Sequence, residues 1–357
     1  MKTMLDYIKE TPDVLKDMMA RKDDIFREVL SALKTKEISH IYITGSGTSC
    51  HAGIAAKNFI EDLLDVQVIP MFPNAFVDQN TIKGENVVLL GVSQSGGSTS
   101  TIRSLEVARE RGNICISVGG EDNTPIENYG DYHIDIGCGV EKALAKTKGY
   151  TASMLILYLF GLELAKARET ITGKEYDQFL ERLLATTNNT AYLIESSEKW
   201  VDSVKKELAD KPQFMVLGYQ NQMATVMESA LKMLETVRNG VSGYELEEFM
   251  HGIYNAINEQ SVLFYIGSAS DIYYERCIKL MNYLSKTTKY QYLISSEENP
   301  NVNNLTLKFV DDKYFSPIEY IIPFQLISYI VAIEKGIDPS RPSDPEFHKN
   351  MNSKIQK

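Results

Sequence analysis

Two short stretches rich in hydroxyls and glycine carry the clearest chemistry in this 357-residue sequence. One reads Gly45-Ser46-Gly47-Thr48-Ser49; the other reads Ser93-Gln94-Ser95-Gly96-Gly97-Ser98-Thr99-Ser100-Thr101. Glycine lets backbone N–H groups approach a ligand closely, and hydroxyls add neutral donors. The N-terminus of a following helix favours negative charge. The combination suits an anion such as a phosphate. A polar helix cap would use the same residue types, but two such loops after neighbouring strands weigh against capping alone. Neither is a Walker loop, because no Gly-Lys-Ser/Thr follows the glycines. Gly45-Ser46-Gly47 also lacks the third glycine of a dinucleotide fingerprint.

A second group has the character of proton carriers. Glu228, Lys232 and Glu235 are spaced by four and three, which places them on one helix face. Spacing alone also allows an exposed face with a Glu–Lys pair worth roughly a few tenths of a kcal/mol. Sixteen residues beyond Glu235 stands His251, between Met250 and Gly252. Glu and His are the usual acids and bases near neutral pH. By itself such a His is as compatible with a structural or surface role.

These residues need elements to position them. The apolar run Ile41–Thr44, stopped by Gly45-Ser46-Gly47, predicts a buried strand and a tight loop. Helical spacing follows from Ala52 to Leu64. Further strands are expected at Val66–Ile69, Val87–Gly91, Ile114–Val118 and His133–Ile136, with a helix from Thr99 to Arg111. Strands alternating with helices predict parallel βαβ units. The pattern then recurs: Phe214–Gly218 resembles Ile41–Gly45 displaced by 173 positions, and Val262–Ile266 stands at a similar offset from Val87–Leu90. The expected fold class is α/β, with two tandem domains, each a doubly wound, mostly parallel sheet flanked by helices. Only the first copy carries the hydroxyl-rich loop after its second main strand. The expected boundaries are an amphipathic helical segment at 1–30, a phosphate-binding domain at 31–170, an acid–base domain at 200–340 and a tail at 341–357. The join falls in the polar helical stretch around 170–200.

Composition agrees with two domains at about 150 residues each. Hydrophobic residues are 43% and charged residues 24%, so disordered, collagenous and disulfide-scaffold classes are excluded. The 48 acidic residues against 37 basic ones give a charge of −11, with no dense Lys/Arg stripe, and no nucleic-acid partner is expected. Cys50, Cys115, Cys138 and Cys277 are far apart and lack metal-ligand spacing, as expected of buried thiols in a reducing compartment. No metal site is expected. The N-terminus lacks an apolar signal core, and the longest uncharged apolar stretch, Tyr150–Leu162, is shorter than a membrane span. A cytoplasmic location without membrane contact is expected.

The two loops together resemble the sugar isomerase (SIS) family of phosphosugar-binding domains, over nearly the whole chain as two tandem copies. The sequence is similar to the isomerase half of glucosamine-6-phosphate synthase and, within that group, to the 6-phosphofructosamine deglycases. By that resemblance Thr48, Ser49, Ser93, Gln94, Ser95 and Ser98 hold the sugar phosphate, with Gly47 secondary. Ser98 stands where the synthase usually has Thr. Glu228, Lys232 and Glu235 match the family's ExxxKxxE helix, and His251-Gly252 its following His-Gly. The resemblance implies that Glu235 moves a proton between sugar C1 and C2. It also implies that His251, from a neighbouring subunit, assists ring opening, with Lys232 a positive neighbour and Glu228 a secondary residue. The family's tail lysine engages the open-chain carbonyl, and Lys349 is the best positional match, Lys354 the next. A solvated tail is the alternative.

On the sequence as given, Lys2 follows Met1 and the isomerase module begins almost at once, so glutamine-dependent amination by this chain alone is not expected. The resemblance then implies deglycation: a fructosamine 6-phosphate, such as a glycated amino acid, is converted to glucose 6-phosphate and free amine. A phosphorylated amino sugar is the substrate of the runner-up, a glucosamine-6-phosphate deaminase or an ammonia-dependent isomerase. A sugar-phosphate sensor without turnover is the alternative from another class. No cofactor is implied. A homodimer or larger assembly with a shared active site is, its sequence correlates being the apolar segments Ala152–Leu164 and Ile318–Ile333, for either of which plain core is the alternative.

Overall fold

The structure is a computed structural model and describes residues 2–121, 123–268, 271–299 and 303–355. The chain divides into two compact units. The first comprises Asp13–Lys142, Lys148–Leu184 and Ser343–Lys357; the second comprises Met1–Pro12, Ala143–Thr147 and Ala185–Pro342.

The first unit is built on five strands: β1 (His40–Thr44), β2 (Gln67–Met71), β3 (Val87–Ser93), β4 (Ile114–Gly119) and β5 (Tyr132–Asp135). Their order is β2-β1-β3-β4-β5 and every pair is parallel. Such sheets are covered on both faces, which is why their strands read as unbroken apolar runs. β3 is buried at every position. It runs on through Ser93, two residues past the apolar run, so its last residue is the first hydroxyl of the loop. Helix Thr48–Leu64 likewise begins before the apolar periodicity that starts at Ala52, with Thr48 to His51 as its first turn. It packs on helix Lys148–Ala167, where the rings of Phe59 and Tyr158 meet edge to face at 5.8 Å and Tyr158 donates to the Ala55 carbonyl at 3.1 Å.

The second unit repeats this plan with β6 (Gln213–Gly218), β7 (Gly240–Glu245), β8 (Ser261–Gly267), β9 (Gln291–Ser295) and β10 (Asn303–Thr306). The order is β10-β9-β8-β6-β7, again parallel throughout the described strands. Read from the other edge, it matches the first sheet strand for strand. β6 corresponds to β1 and β8 to β3, as the 173-residue offset requires.

The expected helical segments take definite bounds. The first thirty residues form helix Met4–Ile25, with Pro12 inside it, followed by Arg27–Leu33. The polar stretch around 170–200 is one helix, Gly173–Ala209. The two apolar segments lie in helices buried within the fold, Lys148–Ala167 and Ser316–Glu334, as the core alternative has it. Both are long and apolar enough to cross a membrane by length and composition, but 89% of each apolar window is buried within the fold. Burial on all sides removes helical periodicity, so the sequence there shows only an apolar run.

Candidate functional site

In a doubly wound sheet of this order, connections leave β1 and β3 in opposite directions, and ligands sit in the crevice at the carboxyl ends of those strands. Both hydroxyl-rich loops lie there. Gly47 adopts φ +53° at the cap of helix Thr48–Leu64, and Gly96 adopts φ +65°. A Cβ on Gly96 would come within 2.1 Å of the Thr124 side chain, so only glycine fits. The second loop is pinned from behind: Gly120 N–H donates to the Gln94 carbonyl and Ile126 N–H to that of Gly96, both at 3.0 Å.

Side-chain hydroxyls from the two loops converge. Ser46 Oγ lies 3.1 Å from Ser100 Oγ, which is 3.3 Å from Ser98 Oγ, and Thr101 donates to Ser98 at 3.0 Å. Of the six expected phosphate-loop residues, Ser49, Ser93 and Gln94 are buried, while Thr48, Ser95 and Ser98 are half-buried. The exposed Ser46 and half-buried Ser100 were not among them, although both stand in the quoted loops. Their contact spans 54 positions of sequence, which no local pattern reveals. Gln94 directs its amide N–H to Cys138 Sγ at 3.8 Å, and its Oε1 is enclosed without a hydrogen-bond partner.

The tail lies against this loop. Ile355 N–H donates to the Gly97 carbonyl at 2.9 Å, Thr99 Oγ1 donates to the Asn352 carbonyl at 3.2 Å, and Ser98 pairs with Lys354 in an antiparallel bridge. Burial and then the Lys354 ammonium push the His348 imidazole below its ordinary range. Lys349 is exposed and holds Glu346 at 3.4 Å. Of the two tail lysines, the structure sets Lys354 beside the loop.

The second unit holds the acid–base helix, Met223–Thr236, which follows β6. Its trio is not the exposed face that spacing alone allows. The Lys232 side chain is 1% exposed, Glu228 is fully enclosed, and Glu235 alone is open, at 30%. The ammonium lies 2.5 Å from Glu235 and 3.4 Å from Glu228. Burial by itself would push this lysine down, but the two carboxylates outweigh it and hold its pKa above the ordinary value. A buried ammonium persists because it is paired. His251 stands outside the trio: it is exposed, just past the short helix Leu246–Phe249, and its backbone N–H donates to the Glu248 carbonyl at 3.0 Å.

No group of three or more His, Cys, Asp or Glu that could hold a metal ion occurs among the described residues. The four cysteines are free and buried, and burial pushes their thiols up, to about 11 at Cys50 and Cys138 and about 12 at Cys115 and Cys277.

Residues 35–162 match the SIS domain family. A protein of Clostridium difficile 630, provisionally assigned as a phosphosugar isomerase, superposes with a TM-score of 0.93 at 34% identity, covering 100% of both chains. A provisionally assigned sugar-binding protein of Salmonella typhimurium LT2 superposes with a TM-score of 0.82 at 34% identity, over 91% of this chain and 98% of that one. The glutamine–fructose-6-phosphate aminotransferase (isomerizing) of Clostridium tetani is 26% identical over 353 residues, 95% of this chain and 57% of that protein. The chain thus spans about half the length of the curated relatives it matches.

Proposed function

The chain belongs to the SIS domain family, and from that premise we propose that it is an enzyme of phosphorylated sugars that shuttles a proton between sugar C1 and C2. Its specific activity is that of a 6-phosphofructosamine deglycase. The observation that carries this is the enclosed Lys232 gripped by two glutamates, of which only Glu235 is open. A surface ion pair would leave all three in water, whereas a buried ammonium fixes one open carboxylate as a base must be fixed.

The substrate's phosphate is held by Thr48, Ser49, Ser93, Gln94, Ser95 and Ser98, with Ser46 and Ser100 joining the two loops. His251, supplied by a neighbouring copy in a homodimer, assists opening of the sugar ring. Glu235 then removes the C1 proton of the open-chain fructosamine, giving the enaminol. Return of a proton to C2 leaves a Schiff base at C1. Water adds to that imine, and its collapse gives glucose 6-phosphate and the free amine. Atoms balance with water as the one co-reactant, and no electrons leave the substrate.

Incubation with fructosyl-lysine 6-phosphate and, separately, with glucosamine 6-phosphate tests the assignment. Glucose 6-phosphate and lysine from the first are expected. Turnover of the second alone would replace the deglycase by a deaminase or isomerase, and binding of both without turnover would make the protein a sensor.

A further inference from the structure

A hydroxyl carries one proton and accepts through its lone pairs. A phosphate dianion only accepts, so a serine that holds one must direct its single proton there and be steered by a donor from behind. The structure fixes such a direction at Ser98. Thr101 Oγ1 donates to Ser98 Oγ at 3.0 Å, whereas the Ser46–Ser100 and Ser98–Ser100 contacts run equally well either way. Thr101 is wholly buried and Ser98 half-buried, so the donor lies inside and the acceptor at the edge of the loop.

This contact stands in place of a more usual one. Ser98 is the N-cap of helix Thr99–Glu110, and an N-cap serine ordinarily accepts from the second or third N–H of its helix. Here the side chain makes no cap hydrogen bond, and its acceptor side is turned to Thr101 Oγ1 instead. The Ser100 and Thr101 N–H groups, which have no partner within the helix, are therefore not taken up by the cap. Thr101 is itself anchored, because its carbonyl accepts from Ser104 Oγ at 2.7 Å. With the Ser104 proton so committed, Thr44 is the donor in their 2.8 Å contact. Thr44 ends β1, the strand that leads into the other loop, and both Thr44 and Ser104 are fully buried. An enclosed set of hydroxyls thus ties the position of Thr101 to both loops.

We propose that Thr101 is a positioning residue for phosphate binding: by donating to Ser98 it turns the Ser98 proton, and the helix amides left open by the cap, toward the phosphate of the substrate. This rests on the reading that the two loops hold a phosphate, and not on which amine the sugar carries. Thr101 is enclosed and touches no ligand; it acts through Ser98. A threonine that only filled space there would be matched by valine, which has the same shape and no donor. Without that donor Ser98 is released to cap its own helix, and the amides it then accepts from are lost to the anion.

Calorimetric titration of the full chain with inorganic phosphate is the test, with steady-state kinetics on fructosyl-lysine 6-phosphate beside it. Thr101→Val should weaken phosphate by roughly fivefold or more. It should raise KM while kcat stays within about twofold, because the phosphate is held alike in ground and transition states. Thr101→Ser keeps the donor and should restore the parent affinity. In a Ser98→Ala background Thr101→Val should change phosphate affinity by less than about twofold, since its partner is gone. Parent affinity in Thr101→Val, no restoration by Thr101→Ser, or an equal loss in both backgrounds would each overturn the proposal and leave the phosphate loops standing. No phosphate binding by the parent chain would overturn the loop reading and the proposal with it. Thr101→Ala, which also removes the donor, carries the same expectation should valine not fold. The titration decides the matter even where no fructosamine is turned over.

Discussion

The Lys232 ammonium sits 2.5 Å from Glu235 Oε2 and 3.4 Å from a Glu228 oxygen, with its own side chain almost wholly removed from water. One positive charge is shared by two carboxylates of unequal exposure, the enclosed Glu228 and the open Glu235. Lys232→Met keeps the volume but leaves Glu228 without its ammonium. It is expected to cost about 3–5 kcal/mol in urea unfolding. A loss under about 1 kcal/mol would mean the trio is energetically an ordinary surface pair.

Glu235→Gln addresses chemistry rather than folding, because Glu228 still faces the lysine. Turnover of fructosyl-lysine 6-phosphate should fall by about 10²–10⁴-fold, the usual contribution of a positioned acid–base group. Inorganic phosphate should bind as before. A variant that turns over at the parent rate would remove Glu235 from the reaction.

The tail lysines separate by position. Lys349 forms an exposed pair with Glu346, and Lys349→Ala should change stability by less than about 0.5 kcal/mol and leave kcat and KM alone. The backbone bridge of Lys354 to Ser98 survives Lys354→Ala, so that variant tests the ammonium alone, and kcat/KM for the phosphosugar should fall while folding is unaffected. Steady-state kinetics on the two variants decide it. The reverse ranking would restore Lys349 as the tail's functional lysine.

Glu319 provides a pH signature in the second unit. It is fully buried, and burial pushes its carboxyl up to about 7 against the pull of Asn189 and the N–H groups of Val310 and Asp311. A carboxyl raised in the folded state stabilises below the unfolded value and loses that contribution as pH rises through the folded one. Between pH about 4.5 and about 7 the protein should therefore lose stability relative to Glu319→Gln, by up to about 1.4 kcal/mol per pH unit. Urea midpoints of both proteins at about pH 5 and about pH 8 measure the difference. Parallel profiles would show that Glu319 is ionised across the range.

Much of this architecture is legible in the residues themselves. Ile41–Thr44 ended by Gly45-Ser46-Gly47 marks β1, and the same pattern 173 positions on marks β6, because a strand buried on both faces leaves an apolar run that turn residues must stop. The ExxxKxxE spacing of Glu228, Lys232 and Glu235 places one face but not its depth. That Lys232 is enclosed follows from the packing of its helix between the sheet and helix Ser316–Glu334, which sequence spacing does not encode. The convergence of Ser46 on Ser100 and the pairing of Ser98 with Lys354 are likewise tertiary, joining residues far apart in the chain. The apolar helices stay ambiguous in sequence for a related reason: a helix buried all round and a subunit contact present the same composition.

The four buried thiols make the protein its own unfolding reporter. Alkylation needs a thiolate that a reagent can reach, and burial denies both. Cys50, Cys115 and Cys138 belong to the first unit and Cys277 to the second. The order in which native protein acquires mass under a slow alkylating agent therefore reads out which half of the duplication opens first, with no label introduced.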